Sequence, residues 1–544
     1  RDVLGSRGLG DVYKRQLNLS FMKQTLLFLC CGLLFSCQKD FVSLPSELPP
    51  TSSQIITDGM TVLGQQLENP YSVGNMRKAL ANLSPKTRAG ITDMDIQPTH
   101  YYVKFHPRSS EELDLILQDS TIIWYDIPLD YEIEEYGSYY HDPTIPDSLP
   151  TYQYASIEVA KWPAVSTIGV DYEILSDLFI PDEDKDEDDD GIMTRSGTKW
   201  NEALADALVE ESLRLTGNDN EDYESGPQTR GRSKWRPAGR ISYYDEVLGK
   251  TIGVEGVKVK ARRWFTTHTG FVNADGYYSC NGRFKRPANY SFGLDRYEFQ
   301  VNGDGVCVFY DGPKRKGNWD YHFACSKSQS EFFGATVFRA AYHYYYKDIG
   351  GLRRPPQNSF WRTKMRLKAI NQQNNSSNGN FKSARRFLGL GSAIKLYNPQ
   401  NTTDAIYATT IHELAHAAHW RMIVKEPGTN RYRDYHDAED KMVESWATGV
   451  QWYLTRMVYS KYRGRPQGTP NYTNVVIDLV DSQIDDWQNN GKTYAQGDKV
   501  EGYTMSQIES ALIGCDTWNK WRDNIKRKYN NNTKQYVDEL FASW

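Results

Sequence analysis

The sequence predicts a multidomain α+β protein, and three observations predict it. At 544 residues the chain is too long for one ordinary hydrophobic core, so three or four domains are expected. From Arg240 the pattern changes to short alternating strands separated by turn residues, and after Glu444 the spacing is helical to the end. The expected parts are a non-native leader (1–21), a signal peptide (22–36), a tether (37–70) and a small N-terminal α+β adaptor domain (71–180). An acidic linker, short helix and second linker follow (181–239), then a β-sandwich (240–305) and a C-terminal domain with a mostly helical lower half (306–544).

Net charge is −5, with both signs interspersed, so electrostatics make no case for a nucleic-acid partner. The 37 Tyr and 14 Trp fit a secreted or surface protein that handles peptide or glycan, and Tyr-rich cores explain them equally well.

Met22 is the expected start, followed by Lys23 and the apolar run Leu26–Phe35, which is too short to span a bilayer. Leu34-Phe35-Ser36-Cys37 resembles a bacterial lipobox. The resemblance implies that Cys37 is acylated and held in outer-membrane lipid, with no transmembrane helix in the mature chain. Lys39-Asp40 resembles the export signal of surface lipoproteins in Bacteroidota-type bacteria, implying the cell surface or the periplasmic face. Of seven cysteines, Cys280, Cys307, Cys325 and Cys515 then remain, in an oxidising compartment. Cys280 with Cys307 or Cys307 with Cys325 are the local pairings, and the sequence does not choose among the alternatives.

Phe41–Pro70 is rich in Pro, Ser and Thr and reads as a spacer. Thr99–Phe105 alternates as a strand, Ser109–Gln118 reads as a capped helix and Ile122–Ile127 as a second strand, together a small adaptor unit. The unit also faintly resembles the propeptide-like or inhibitor-like domains that precede secreted proteases. Within the acidic run Pro181–Gly191, Asp186, Asp188, Asp190 and Gly191 match the first half of a calcium loop, but Gly197 stands where a bidentate Glu is needed, so a solvated linker is expected. Trp200–Leu215 reads as one helix.

Val254–Arg262, Thr266–Val272 and Asn273–Cys280 are strands, and the Ala-Asp-Gly turn within them indicates a compact antiparallel sandwich. Gly256-Val-Lys-Val, Thr269-Gly-Phe-Val and Asp275-Gly-Tyr-Tyr resemble the carboxypeptidase regulatory-like module, which implies a scaffold without catalytic residues.

Next come a helix over Ser328–Lys347 and strands at Met365–Ile370 and Ala393–Tyr397, separated by an Asn/Ser/Gly loop. From Asp404 a run free of Gly and Pro carries His412-Glu-Leu-Ala-His416, with Thr402, Thr403 and Asp404 as N-caps. Residues four apart stand one above the other on a helix, so the two imidazoles point the same way and suit one zinc ion. A catalytic zinc takes a third protein ligand and leaves one position to a water whose pKa falls to about 7. Glu413 lies beside that position and is the natural general base. Met422 stands where a third-histidine pattern needs its ligand, so a later carboxylate is required. Asp437, Glu439 and Asp440 compete in a polar stretch; Glu444 sits among Val443, Trp446, Ala447 and Val450, where an unpaired charge is costly and a cation removes the cost. His419, one turn on, reads as packed or as touching substrate.

This arrangement resembles the gluzincin-type zinc metallopeptidases, with HExxH on one helix and a glutamate on a later one. The resemblance implies a zincin-like domain, one Zn2+ held by His412, His416 and Glu444, and a protein or peptide substrate hydrolysed with Glu413 as base. The acidic residue often found four positions after the ligand glutamate is Thr448 here, so the partner of a ligand histidine is unassigned. In zincin folds the strand before the metal helix is often a free edge that pairs with extended peptide; Ile394, Lys395, Leu396 and Tyr397 are the candidates. Tyr503, His436 and Tyr435 are available as oxyanion donors. The rival readings are a surface binding or assembly protein on a zincin scaffold and a zinc amidase acting on cell-wall peptides.

Overall fold

The computed structural model describes residues 57–83, 96–116, 119, 121–135, 137–146, 149–181, 192–193, 199–200, 202–219, 234–302, 309–324, 330–356, 364–370, 379–382, 393–397, 402–424, 438–464, 470–482, 487–489, 492–494 and 498–544. It is a mixed α+β chain whose first described strand is β1 (Thr57–Met60). The leader, Cys37 and the acidic run after Pro181 lie outside the described residues.

β2 (Val62–Gln66), α1 (Val73–Leu83), β3 (His100–Phe105) and α2 (Ser110–Ile116) open the N-terminal part, followed by β4 (Tyr131–Glu135), β5 (Gly137–Tyr139), β6 (Gln153–Glu158), α3 (Trp162–Val165) and β7 (Tyr172–Leu178). β3 is the central strand of an antiparallel sheet ordered β6-β3-β7. Its alternation buries both faces: Tyr102 joins one apolar cluster, Val103 and Phe105 another. The tether ends earlier than expected, because β1 pairs with β5 and β2 with β4. Ile122–Ile127 is not a strand; its one pairing is the bridge from Tyr125 to Tyr154, and β6 and β7 supply the sheet instead.

Two short strands, β8 (Ile192–Met193) and β9 (Lys199–Trp200), precede α4 (Glu202–Leu215). α4 is more than a helix within a linker. Its Leu208, Val209 and Leu213 share a core with Met76, Ala79 and Leu80 of α1.

The sandwich comprises β10 (Ala238–Asp245), β11 (Lys250–Gly253), β12 (Lys258–Arg263), β13 (Thr266–Phe271), β14 (Tyr277–Ser279) and β15 (Ala288–Gly293). One sheet runs β11-β10-β14 and the other β13-β12-β15, with Val259, Ala261, Tyr290 and Phe292 of the second facing Ile241, Tyr243 and Tyr278 of the first. The expected Ala-Asp-Gly turn forms, with Gly276 at φ +94°, where a Cβ would stand 2.9 Å from the Ile241 carbonyl. The hairpin tip Trp264-Phe265, with Trp264 at φ +50°, reaches into the N-terminal core. The 305/306 boundary cuts across this unit: β17 (Phe309–Arg315) extends the second sheet and β18 (Tyr321–Phe323) pairs with β10, whereas β16 (Phe299–Asn302) joins the next domain. Cys280 is a buried free thiol, pushed up to about 12 by burial, so the Cys280–Cys307 pairing is not formed. Cys307 and Cys325 lie outside the described residues.

α5 (Ser330–Tyr346), β19 (Met365–Ile370), β20 (Gly379–Lys382), β21 (Ala393–Tyr397), α6 (Thr403–Val424) and α7 (Asp440–Val458) build the C-terminal domain. Its sheet runs β16-β19-β21-β20, the first three parallel and β20 antiparallel. This corrects the expectation of a free edge at Ile394–Tyr397. Lys395 is paired with Lys368 on one side and Asn380 on the other, so the backbone of β21 is already used and, among the described residues, β20 is the edge on that side of the sheet and β16 the other. α5 packs on this sheet and on α6, and α6 packs on α7. One hydrophobic cluster runs unbroken from Ile241 to Trp544, joining sandwich and C-terminal domain.

The lower half holds α8 (Val475–Val480), α9 (Met505–Leu512), α10 (Trp518–Lys528) and α11 (Val537–Ser543). A small hairpin of β22 (Trp487–Asn489) and β23 (Lys492–Tyr494) follows α8. Thr504 and Gln507 close a capping box at α9, and Thr517 caps α10. Among the described residues no helix is long and apolar enough to cross a membrane.

Candidate metal centre

α6 is a core helix. Ile406, Tyr407, Ile411, Leu414, Ala415 and Ala418 are all buried, and polar His412, Glu413 and His416 are 6–8% exposed. A helix apolar on every side has to be enclosed, and a titratable pair within it needs partners. α7 supplies them. Glu439 starts this helix in an extended conformation, and Glu444 falls one turn further on, between buried Val443 and Ser445.

Three donor atoms converge there. His412 Nε2 lies 3.1 Å from Glu444 Oε2, His416 Nε2 lies 3.3 Å from the same oxygen, and the two Nε2 atoms are 3.1 Å apart. The rings stand nearly perpendicular, at 86°. This is the one group among the described residues whose His, Cys, Asp or Glu side chains could share an ion. In tetrahedral zinc, with bonds of about 2.0–2.1 Å, neighbouring donors stand about 3.3 Å apart, and two imidazoles with one carboxylate are a borderline-soft set that suits it. The residues therefore fit the metal that the motif implies. Burial pushes the Glu444 carboxyl up, but the His416 and His412 imidazoles outweigh burial and hold it well below the usual carboxylate range.

Of the competing acids, Glu439 and Asp440 are exposed, and Glu439 Oε2 accepts from the backbone N–H of Trp518; Asp437 lies outside the described residues. His419 is 1% exposed, and burial with nearby His416 pushes its imidazole down to about 3, so it is neutral and packed. Tyr503 is 2% exposed in the core, with its backbone N–H on the Leu479 carbonyl, and it is not part of the converging group. His436 and Tyr435 lie outside the described residues.

Sequence reasoning missed two residues. Tyr472 stacks on His412, with rings 6.0 Å apart and 25° from parallel, and hydrogen-bonds Glu444. Its phenol is pushed up by burial first and then by the Glu444 carboxylate. The chain either side of Tyr472 is fixed to α7: Thr473 Oγ1 donates to Ser445 Oγ at 2.8 Å, and Ser445 Oγ donates to the Asn471 carbonyl at 3.3 Å. Gln451 is the second: its Oε1 lies 3.0 Å from His412 Nδ1, and its Nε2 donates to Tyr462 Oη at 2.7 Å. Helical spacing could have found Gln451, seven positions after Glu444 and so on the same face; Tyr472 sits in an irregular segment and left no signal.

No family model, curated protein or solved structure matches this chain.

Proposed function

We propose that this chain is a zinc-dependent peptidase of gluzincin type, acting on extracellular or periplasmic proteins or peptides. The observation that carries the reading is the convergence of His412 Nε2, His416 Nε2 and Glu444 Oε2 within hydrogen-bonding distances of one another on two packed helices. When bound, zinc held by these three residues supplies Lewis acidity toward a peptide carbonyl and lowers the pKa of water.

The chain's own residues do the rest. Glu413, next to His412 on α6 and buried, takes the proton from the attacking water and passes it to the leaving amine. Tyr472 orients the Glu444 carboxylate through its hydroxyl. Because β21 is paired on both sides, extended substrate lies along the edge strand β20, main chain to main chain. Acylation of Cys37 would hold the enzyme on outer-membrane lipid, at the surface or the periplasmic face.

A panel of peptides and muropeptides, with and without chelator, tests the reading. Chelator-sensitive cleavage of peptides supports it. Cleavage confined to muropeptides makes the protein a cell-wall amidase, and zinc-independent binding without cleavage makes it a surface binding or assembly protein.

A further inference from the structure

The metal reading leaves one feature of the donor group unused. A ligand imidazole can present Nε2 to a cation only if its proton sits on Nδ1, and what holds it there is usually a carboxylate or backbone carbonyl. The acidic residue that the resemblance places four positions after Glu444 is Thr448, which is 4% exposed and carries no carboxylate. One turn further along the same helix, Gln451 Oε1 lies 3.0 Å from His412 Nδ1. The amide is not free to turn alone: its Nε2 donates at 2.7 Å to Tyr462, which follows the end of α7 and whose backbone N–H is held by the Tyr459 carbonyl at 2.8 Å. Oxygen toward the ring and nitrogen toward the phenol is the arrangement in which the imidazole proton is on Nδ1.

We infer that Gln451, steadied by Tyr462, is a positioning residue that keeps His412 in the Nδ1–H tautomer and aims its Nε2 at the point where His416 and Glu444 converge. The inference rests on the metal reading above and deepens it. α7 thereby serves both sides of the site, Glu444 as ligand and Gln451, two turns on, as the partner of a ligand on the facing helix. An amide accepts this proton more weakly than a carboxylate does, so the centre is built to hold its metal less tightly than one with an acid in this place.

The test is zinc affinity of the full chain by competition with a chromophoric chelator, with the visible spectrum of the Co2+-substituted protein as second readout. Gln451→Leu should weaken zinc about 10–100-fold and change the Co2+ spectrum. Gln451→Glu should match or exceed the wild type, and Tyr462→Phe should fall between wild type and Gln451→Leu. A Gln451→Leu protein that unfolds at lower temperature but binds zinc with wild-type affinity would reduce Gln451 to packing and overturn the inference. If the wild type binds no zinc, the metal reading fails, and the relay with it. Binding by the wild type with equal affinity in Gln451→Leu sinks the relay alone.

Discussion

Glu246, the residue after a sandwich strand, accepts a hydrogen bond at 2.8 Å from the backbone N–H of Thr403, the first residue of the helix that carries both histidines. Its other oxygen takes the Thr403 hydroxyl. The preceding residue, Asp245, is fully buried and accepts from Tyr459 Oη at 2.7 Å, at the end of the Glu444 helix, and pairs with Arg339 at 3.4 Å. One dipeptide of the sandwich therefore touches both helices of the donor group, and the sandwich is part of the site's frame.

A fragment beginning at Val306 should accordingly fail to fold. It lacks β16, an edge of the C-terminal sheet, and the Asp245–Glu246 brace. In the full chain Asp245→Asn leaves Arg339, 13% exposed, without its counter-charge and should cost about 3–5 kcal/mol in chemical denaturation. A stable, cooperative fragment from residue 306 would show that the brace is dispensable.

Glu413→Gln removes the proposed base without removing a donor atom, so zinc content should be unchanged while turnover falls about 10²–10⁴-fold. Tyr472→Phe deletes the hydroxyl on Glu444 and should weaken zinc about 10–100-fold, as loss of a ligand's supporting hydrogen bond does. Full activity in Glu413→Gln is the outcome that rules out this residue as base.

Gly449 in the Glu444 helix faces Val476 so closely that a Cβ would stand 2.3 Å from the valine Cβ and Cγ1. Gly449→Ala should lower stability by about 1–3 kcal/mol through overpacking. The double change Gly449→Ala with Val476→Ala should lose less than the sum of its parts. Additive losses would mean that the two helices part freely at this contact.

Glu509 is 2% exposed, and burial raises its carboxyl to about 7 although the Arg353 backbone N–H, 3.0 Å away, pulls it down. The folded state thus binds this proton more tightly than the unfolded one. The stabilisation is full below about pH 4.5 and is lost as pH rises through about 7, a change of up to about 3 kcal/mol. Glu509→Gln should flatten that stretch of the stability curve, measured by denaturant midpoints at pH 5 and pH 8; an unchanged slope contradicts the assignment.

The His412–His416 helix is legible because it is long, Ala-rich and unbroken, and Glu444 because a carboxylate among Val443, Trp446 and Ala447 has no reason to be there without a partner. Features made by distant pairing were not. β2 finds β4 across nearly seventy residues, and β20 emerges from an Asn/Ser/Gly stretch with no strand pattern, so neither the end of the tether nor the edge beside β21 can be read locally. Gln451 shares the Glu444 face by helical spacing, but an amide gives no sign of its partner on the facing helix, and Tyr472 sits in an irregular segment that no spacing encodes. The end of the sandwich is not legible locally because β16 leaves its chain neighbours to pair in another sheet.

Metal content of the purified full chain, read beside X-ray absorption at the zinc edge, bears most directly on all of this. One zinc per chain, with two imidazole nitrogens and a carboxylate oxygen among its neighbours and lost in His412→Ala and His416→Ala, is the predicted result. No zinc in the wild type after reconstitution, or zinc kept by both histidine variants, contradicts it.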